Sequence, residues 1–97
     1  MKNMTKILIN STVVMADDVV SCDLDGEAAI LNLKDGVYYG LDPVGAKIWN
    51  LIQKPMVLND VVEIIWDEYD VDINRCKDDI FELVEELLNN GLVKVNE

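Results

Sequence analysis

The stretch Tyr38-Tyr39-Gly40-Leu41-Asp42-Pro43-Val44-Gly45-Ala46-Lys47-Ile48-Trp49 constrains the fold more than any other part of the chain. Aromatic and branched residues favour a strand up to Leu41. Asp42 is then suited to cap a helix, and Pro43 fits its first position, where no N–H is needed. A strand must therefore hand over to a helix with no linker between them.

Upstream, Val20, Cys22 and Leu24 alternate with Ser21 and Asp23, which predicts a strand from Val19. Asp25-Gly26 tolerates the positive φ angles of a two-residue hairpin turn. A second strand is predicted over Glu27 to Leu33 and a third over Val37 to Leu41. For the connection Lys34-Asp35-Gly36, a three-residue loop pairing Leu33 with Val37 is favoured over a two-residue turn. That register gathers Ala29, Leu31, Leu33, Val37, Tyr39 and Leu41 on one face and Ala28, Ile30, Asn32, Tyr38 and Gly40 on the other. The expectation is a three-stranded antiparallel meander.

Three helices should follow. The first runs from Pro43 to about Ile52, with Ile48, Trp49 and Ile52 inward, and ends before Pro55. The second covers roughly Asn59 to Tyr69, capped by Asn59, with Leu58, Val61, Val62, Ile65, Trp66 and Tyr69 on one face. The third begins after Asp72 as N-cap and reaches about Asn90, with Gly91 in the left-handed position beyond it. Leu92 to Val95 reads as a short strand or extended tail. Residues 1–18 are expected to be an extended lead-in, with a single strand or pairing arm as alternatives, and 19–97 the folded domain. At 97 residues there is room for one domain only.

Composition excludes several kinds of chemistry. With no histidine, the commonest general base and nitrogen metal ligand are absent. Asp23-Leu24-Asp25-Gly26 lacks the remaining oxygen ligands of a calcium loop, and Gly36, Gly40 and Gly45 fit no phosphate-binding spacing. No catalytic residue, metal site or cofactor is expected. Nineteen acidic against eight basic residues give a net charge of −11, which repels a nucleic-acid backbone. The Ile7-Leu8-Ile9 run is too short for a signal sequence or a membrane span, so a cytoplasmic protein with no membrane partner is expected. Cys22 and Cys76 are expected to be reduced core cysteines, the alternatives being a disulfide or redox pair, or a catalytic thiol.

One surface stands out. On the third helix Cys76, Leu83, Leu87, Ile80, Val84, Leu88 and Phe81 spread over an arc of about 160°, against roughly 100° for an ordinary surface helix. Lys77 falls within this arc, so the Phe81–Leu88 edge is expected to face water and the Cys76–Leu83 edge to be buried. The alternative is an arc packed on both sheet and helices while Lys77 snorkels. The outer edge of the third strand should also lack a partner, unless the N-terminal segment covers it. An open strand edge beside an apolar helix flank can accept an extended peptide.

The combination Gly26-Glu27-Ala28, Asp35-Gly36, Tyr39-Gly40-Leu41-Asp42, Gly45 with Ile48-Trp49, and Asp79-Ile80 followed by Leu83, Leu87 and Gly91-Leu92 resembles the PqqD-like family, over about Val19 to Val95. The resemblance implies an α+β, winged helix-turn-helix-like fold, a three-stranded antiparallel sheet packed on three helices. It also implies a non-catalytic recognition element for ribosomally made precursor peptides. In such proteins the leader segment adds as an antiparallel strand along the third strand, against the third helix. A free-standing chain of this size looks most like the leader-binding protein of lasso peptide biosynthesis, which works with a separate leader peptidase or other modifying enzyme. A PqqD-type chaperone for a radical-enzyme pathway is one alternative. A winged-helix transcriptional regulator has the right shape but the wrong charge. The peptide-binding residues expected on this basis are Val37, Tyr38, Tyr39, Gly40 and Leu41 on the strand and Lys77, Ile80, Phe81, Val84 and Leu88 on the helix.

Overall fold

The computed structural model describes residues 7–96. Its strands are β1 (Thr12–Met15), β2 (Val19–Leu24), β3 (Glu27–Asn32), β4 (Tyr38–Leu41), β5 (Met56–Val57) and β6 (Val93–Asn96). The helices are α1 (Pro43–Leu51), α2 (Leu58–Glu68) and α3 (Ile73–Asn89). The fold is α+β: the meander β2-β3-β4 and the three helices stand as expected, and a second small sheet of order β5-β1-β6 accompanies them.

Local chemistry explains the meander's first turn. Leu24 pairs with Glu27, leaving Asp25 (φ 60°) and Gly26 (φ 95°) as the two turn residues. The second connection departs from the expected register. Ile30 pairs with Tyr39 and Leu31 with Tyr38, and the Asn32 amide donates to the Val37 carbonyl, so the loop holds four residues, Leu33 to Gly36. Asn32 Oδ1 accepts the Lys34 N–H and Asp35 Oδ1 accepts that of Val37, which stabilises the longer loop. This one-residue slip exchanges the faces. Ala28, Ile30, Asn32, Tyr39 and Leu41 turn inward together, whereas Leu31, Leu33 and Val37 are exposed. Asn32 can be buried because its amide nitrogen donates to the Asn90 carbonyl at the end of α3.

The same inversion reaches β2. Ser21 lies on the helix-packed side of the sheet, exposed at its rim, where its hydroxyl accepts the Trp49 indole N–H at 3.0 Å. Val20, Cys22 and Leu24 therefore point to solvent, and only Cys76 of the two free cysteines is buried. The expectation of two core cysteines is corrected for Cys22.

Helix ends follow their caps. Asp42 Oδ1 accepts the Gly45 N–H at 2.8 Å with Pro43 at the start of α1, and Asp72 accepts the Arg75 N–H at the start of α3. At the end of α3 the Gly91 N–H reaches the Leu88 carbonyl and the Leu92 N–H that of Leu87, with Gly91 at φ 72°. This double bond pattern closes the helix, and Leu87 and Leu92 are both buried beside it.

α2 differs from expectation at its start. Asn59 is not the cap: the helix begins at Leu58 and no side chain caps it. The N–H groups of Leu58 and Asn59 instead donate to the backbone carbonyls of Ser11 and Ile9. The N-terminal segment thus does the work of a cap, and β1 beyond it pairs with β5 and β6. Val13 is fully buried in the common core, so packing extends well before residue 19. Trp66, expected inward, is 44% exposed and donates its indole N–H to the Val71 carbonyl.

Candidate functional site

β4 lies at the edge of its sheet, and among the described residues no strand pairs with its outer side. β1, the strand that could have covered it, is committed to β5 and β6. Because the Asn32 amide bonds the Val37 carbonyl, the alternation of an antiparallel ladder leaves the backbone N–H and C=O of Tyr38 and Gly40 facing outward. Those groups are ready to bond an added strand.

Beside this edge an open cavity of about 580 Å³ lies between β4, the start of α1, the end of α2 and α3. Gly45 sets the closeness of strand and helix, since a Cβ there would stand 3.1 Å from Leu41 Cδ2. Leu41, Val44, Ile48, Ile65, Ile80 and Leu83 contribute apolar wall, and Asp42 and Asp79 are the acidic residues of the lining. Cys76 is also in the wall, its thiol pKa raised by burial and by the Asp79 carboxylate. A buried thiol held in its neutral form is a packing group, not a nucleophile.

Tyr39 links the two sides of the site. Its ring lines the cavity and its hydroxyl donates to Glu86 of α3. That hydrogen bond, with burial and the charge of Glu86 adding to it, pushes the phenol pKa up to about 12. The unfolded value is about 10, so the bond's contribution to stability is complete below pH about 10 and is lost as pH rises through the folded value. Wild type is accordingly expected to exceed Tyr39→Phe in stability by a constant margin up to that lower pH, with the two converging above it. Denaturant melts across the alkaline range measure this; an unchanged margin at the upper end would show that Glu86 is not the source.

The structure brings together only some of the residues expected at this surface. Tyr39, Gly40, Leu41 and Ile80 line the cavity. Val37 is exposed just before β4 and Tyr38, 68% exposed, points its ring to the outer face. Val84 is fully buried in the core and Leu88 is half-buried. Lys77 and Phe81 line a separate shallow depression with Asp78, Glu82 and Glu85. The helix edge that meets β4 is thus Cys76–Asp79–Leu83–Glu86, which contains the Cys76–Leu83 edge expected to be buried. Among the described residues no group of His, Cys, Asp and Glu side chains could hold a metal ion. None of the described helices is long and apolar enough to cross a membrane.

Residues 27–93 match the family described as Coenzyme PQQ synthesis protein D (PqqD). The chain belongs to the PqqD family. Two solved structures share the fold. The first is TbiB1 in complex with the TbiA(beta) leader peptide, 34% identical, covering 84% of this chain and 94% of that one with a TM-score of 0.79. The second is a lasso peptide synthetase B1 complexed with the leader peptide, 23% identical, covering 84% and 96% with a TM-score of 0.70. No curated protein matches the chain. Across this PqqD fold, β4 and α3 correspond to the third strand and third helix anticipated from the sequence.

Proposed function

We propose that this protein is a non-catalytic recognition protein that binds the leader segment of a ribosomally made precursor peptide by β-strand addition. It presents that peptide to a leader peptidase or other modifying enzyme in the cytoplasm, in lasso peptide biosynthesis. The observation that carries this is the unpaired β4 edge running along an apolar cavity, with the Tyr38 and Gly40 backbone groups turned outward. Family membership and the likeness to TbiB1, solved with a leader peptide bound, support it. The added strand would take main-chain bonds from β4 and send alternate side chains into the cavity toward Ile80 and Leu83.

Titration of the precursor's synthetic leader by calorimetry tests the reading. A Kd of micromolar order or tighter is expected, about −8 kcal/mol or more favourable. Duplex DNA at low salt should not bind, given the charge of −11. Binding of the duplex without binding of the leader would overturn the reading.

A further inference from the structure

Among the described residues the outer face of the β2-β3-β4 sheet is apolar and largely exposed, with only the small Ala29 at its centre buried. Register places Val20, Leu31 and Tyr38 side by side across the three strands, with Cys22, Ala29 and Gly40 in the next row. Val20 is 48% exposed, Leu24 50% and Leu33 57%. Alternation in β2 sends Val20, Cys22 and Leu24 outward and Val19 and Ser21 to the other side, so this face is encoded along the strand, not by scattered surface residues. A contiguous apolar face of this kind marks an interaction surface.

Its position says what covers it. Tyr38 and Gly40 belong to the β4 edge, so a leader strand added there prolongs the same face, with alternate leader side chains standing beside Tyr38. Two strands of six residues and one of four offer a footprint of at most about 20 by 15 Å. A stable interface needs about 800 Å² from each partner, so this face alone is too small for a durable dimer of the chain and suits the transient encounter of an enzyme with the loaded protein. Two copies would also oppose their own acidic margins, where Asp25, Glu27 and Asp35 sit at the ends of the strands. An anionic lipid surface would be repelled by the same charge.

We propose that the outer sheet face of β2-β3-β4 is the docking surface for the enzyme that processes the bound peptide, met by an apolar patch bordered by Lys and Arg. This rests on the leader-binding reading. The bound leader completes the face, so the enzyme engages the loaded protein in preference to the empty one.

The probe is the purified leader peptidase, with the wild-type chain and its leader. Cys22 lies in the face and is exposed while Cys76 is buried, so alkylation reports on the face alone. Leader with peptidase should slow Cys22 alkylation at least about tenfold, and leader alone far less. In the double variant Val20→Thr, Leu31→Thr, which keeps strand-forming residues, leader affinity should be unchanged and cleavage of the bound precursor at least about tenfold slower. Normal leader affinity with wild-type cleavage in that variant would overturn the docking face and leave leader binding standing. Failure of the wild type to bind leader would instead bring down the leader-binding reading and the composite face with it. Sedimentation should find a monomer; a dimer abolished by the double variant would assign the face to a second copy and overturn the proposal.

Discussion

Removal of residues 1–18 is expected to leave a chain without a cooperative unfolding transition. The deletion takes away β1, the middle strand of its sheet, so β5 and β6 lose their common partner. It also removes Val13, fully buried, at a cost of about 1.5–3 kcal/mol in lost apolar burial. The Leu58 and Asn59 amides lose the carbonyls of Ser11 and Ile9, and each donor left unsatisfied costs about 1–3 kcal/mol. Against a total stability of about 5–15 kcal/mol for a domain, these losses together consume most of the margin. Thermal melts followed by circular dichroism measure the effect. A sigmoidal melt near the wild-type midpoint would mean that the domain begins at residue 19 after all. Val13→Asp gives a second test with the segment retained, because it buries an unpaired carboxylate at the same place.

That segment was hard to read because its role is long-range. Nothing in Ile9 or Ser11 announces that its carbonyl will meet α2, and the helix consequently needs no polar cap where Asn59 was expected to supply one. Features that rest on neighbouring residues were legible. Asp42-Pro43, Asp72, Asp25-Gly26 and Gly91 each act within a few residues of where they stand, and each forms the turn or cap expected. The β3–β4 register differs from expectation for the same long-range reason. Its longer loop depends on Asn32, whose burial is made tolerable by the Asn90 carbonyl at a sequence separation of 58. Without that bond, placing Leu31 and Leu33 inward looks better by hydrophobicity alone.

The candidate site divides in the same way. An unpaired edge at β4 follows from strand order, so it could be anticipated. Which flank of α3 faces that edge depends on the face β4 presents, and the place of Lys77 in the apolar arc does not carry that information. With Tyr39 inward and bonded to Glu86, the facing edge must include Leu83, one turn back along the helix. Phe81 and Lys77 then fall to the far side. The apolar arc of α3 is wide because its middle, Ile80 and Val84, is core while its two margins meet different surroundings.

The leader is therefore expected to lose binding when Leu83 is changed and to keep it when Phe81 is changed. Leu83→Glu places a carboxylate in an apolar wall already bordered by Asp79, so it loses the contact and adds repulsion and desolvation. A reduction of at least about a hundredfold, near 3 kcal/mol, is expected for Leu83→Glu, with Phe81→Ala within about threefold of wild type. Leu83 is half-buried, so each variant's stability must be measured beside its affinity. The backbone half of the contact is tested separately with a leader N-methylated at one amide. Methylation at a residue bonded to the Tyr38 or Gly40 carbonyl removes a donor and blocks the approach of the strands, whereas methylation one residue away faces solvent. Alternating loss and retention of affinity along the leader, together with slowed deuterium exchange at the Tyr38 and Gly40 amides, is the pattern strand addition requires. Equal affinity for every methylated peptide, with protection on α2 instead, would mean that the leader binds without joining the sheet.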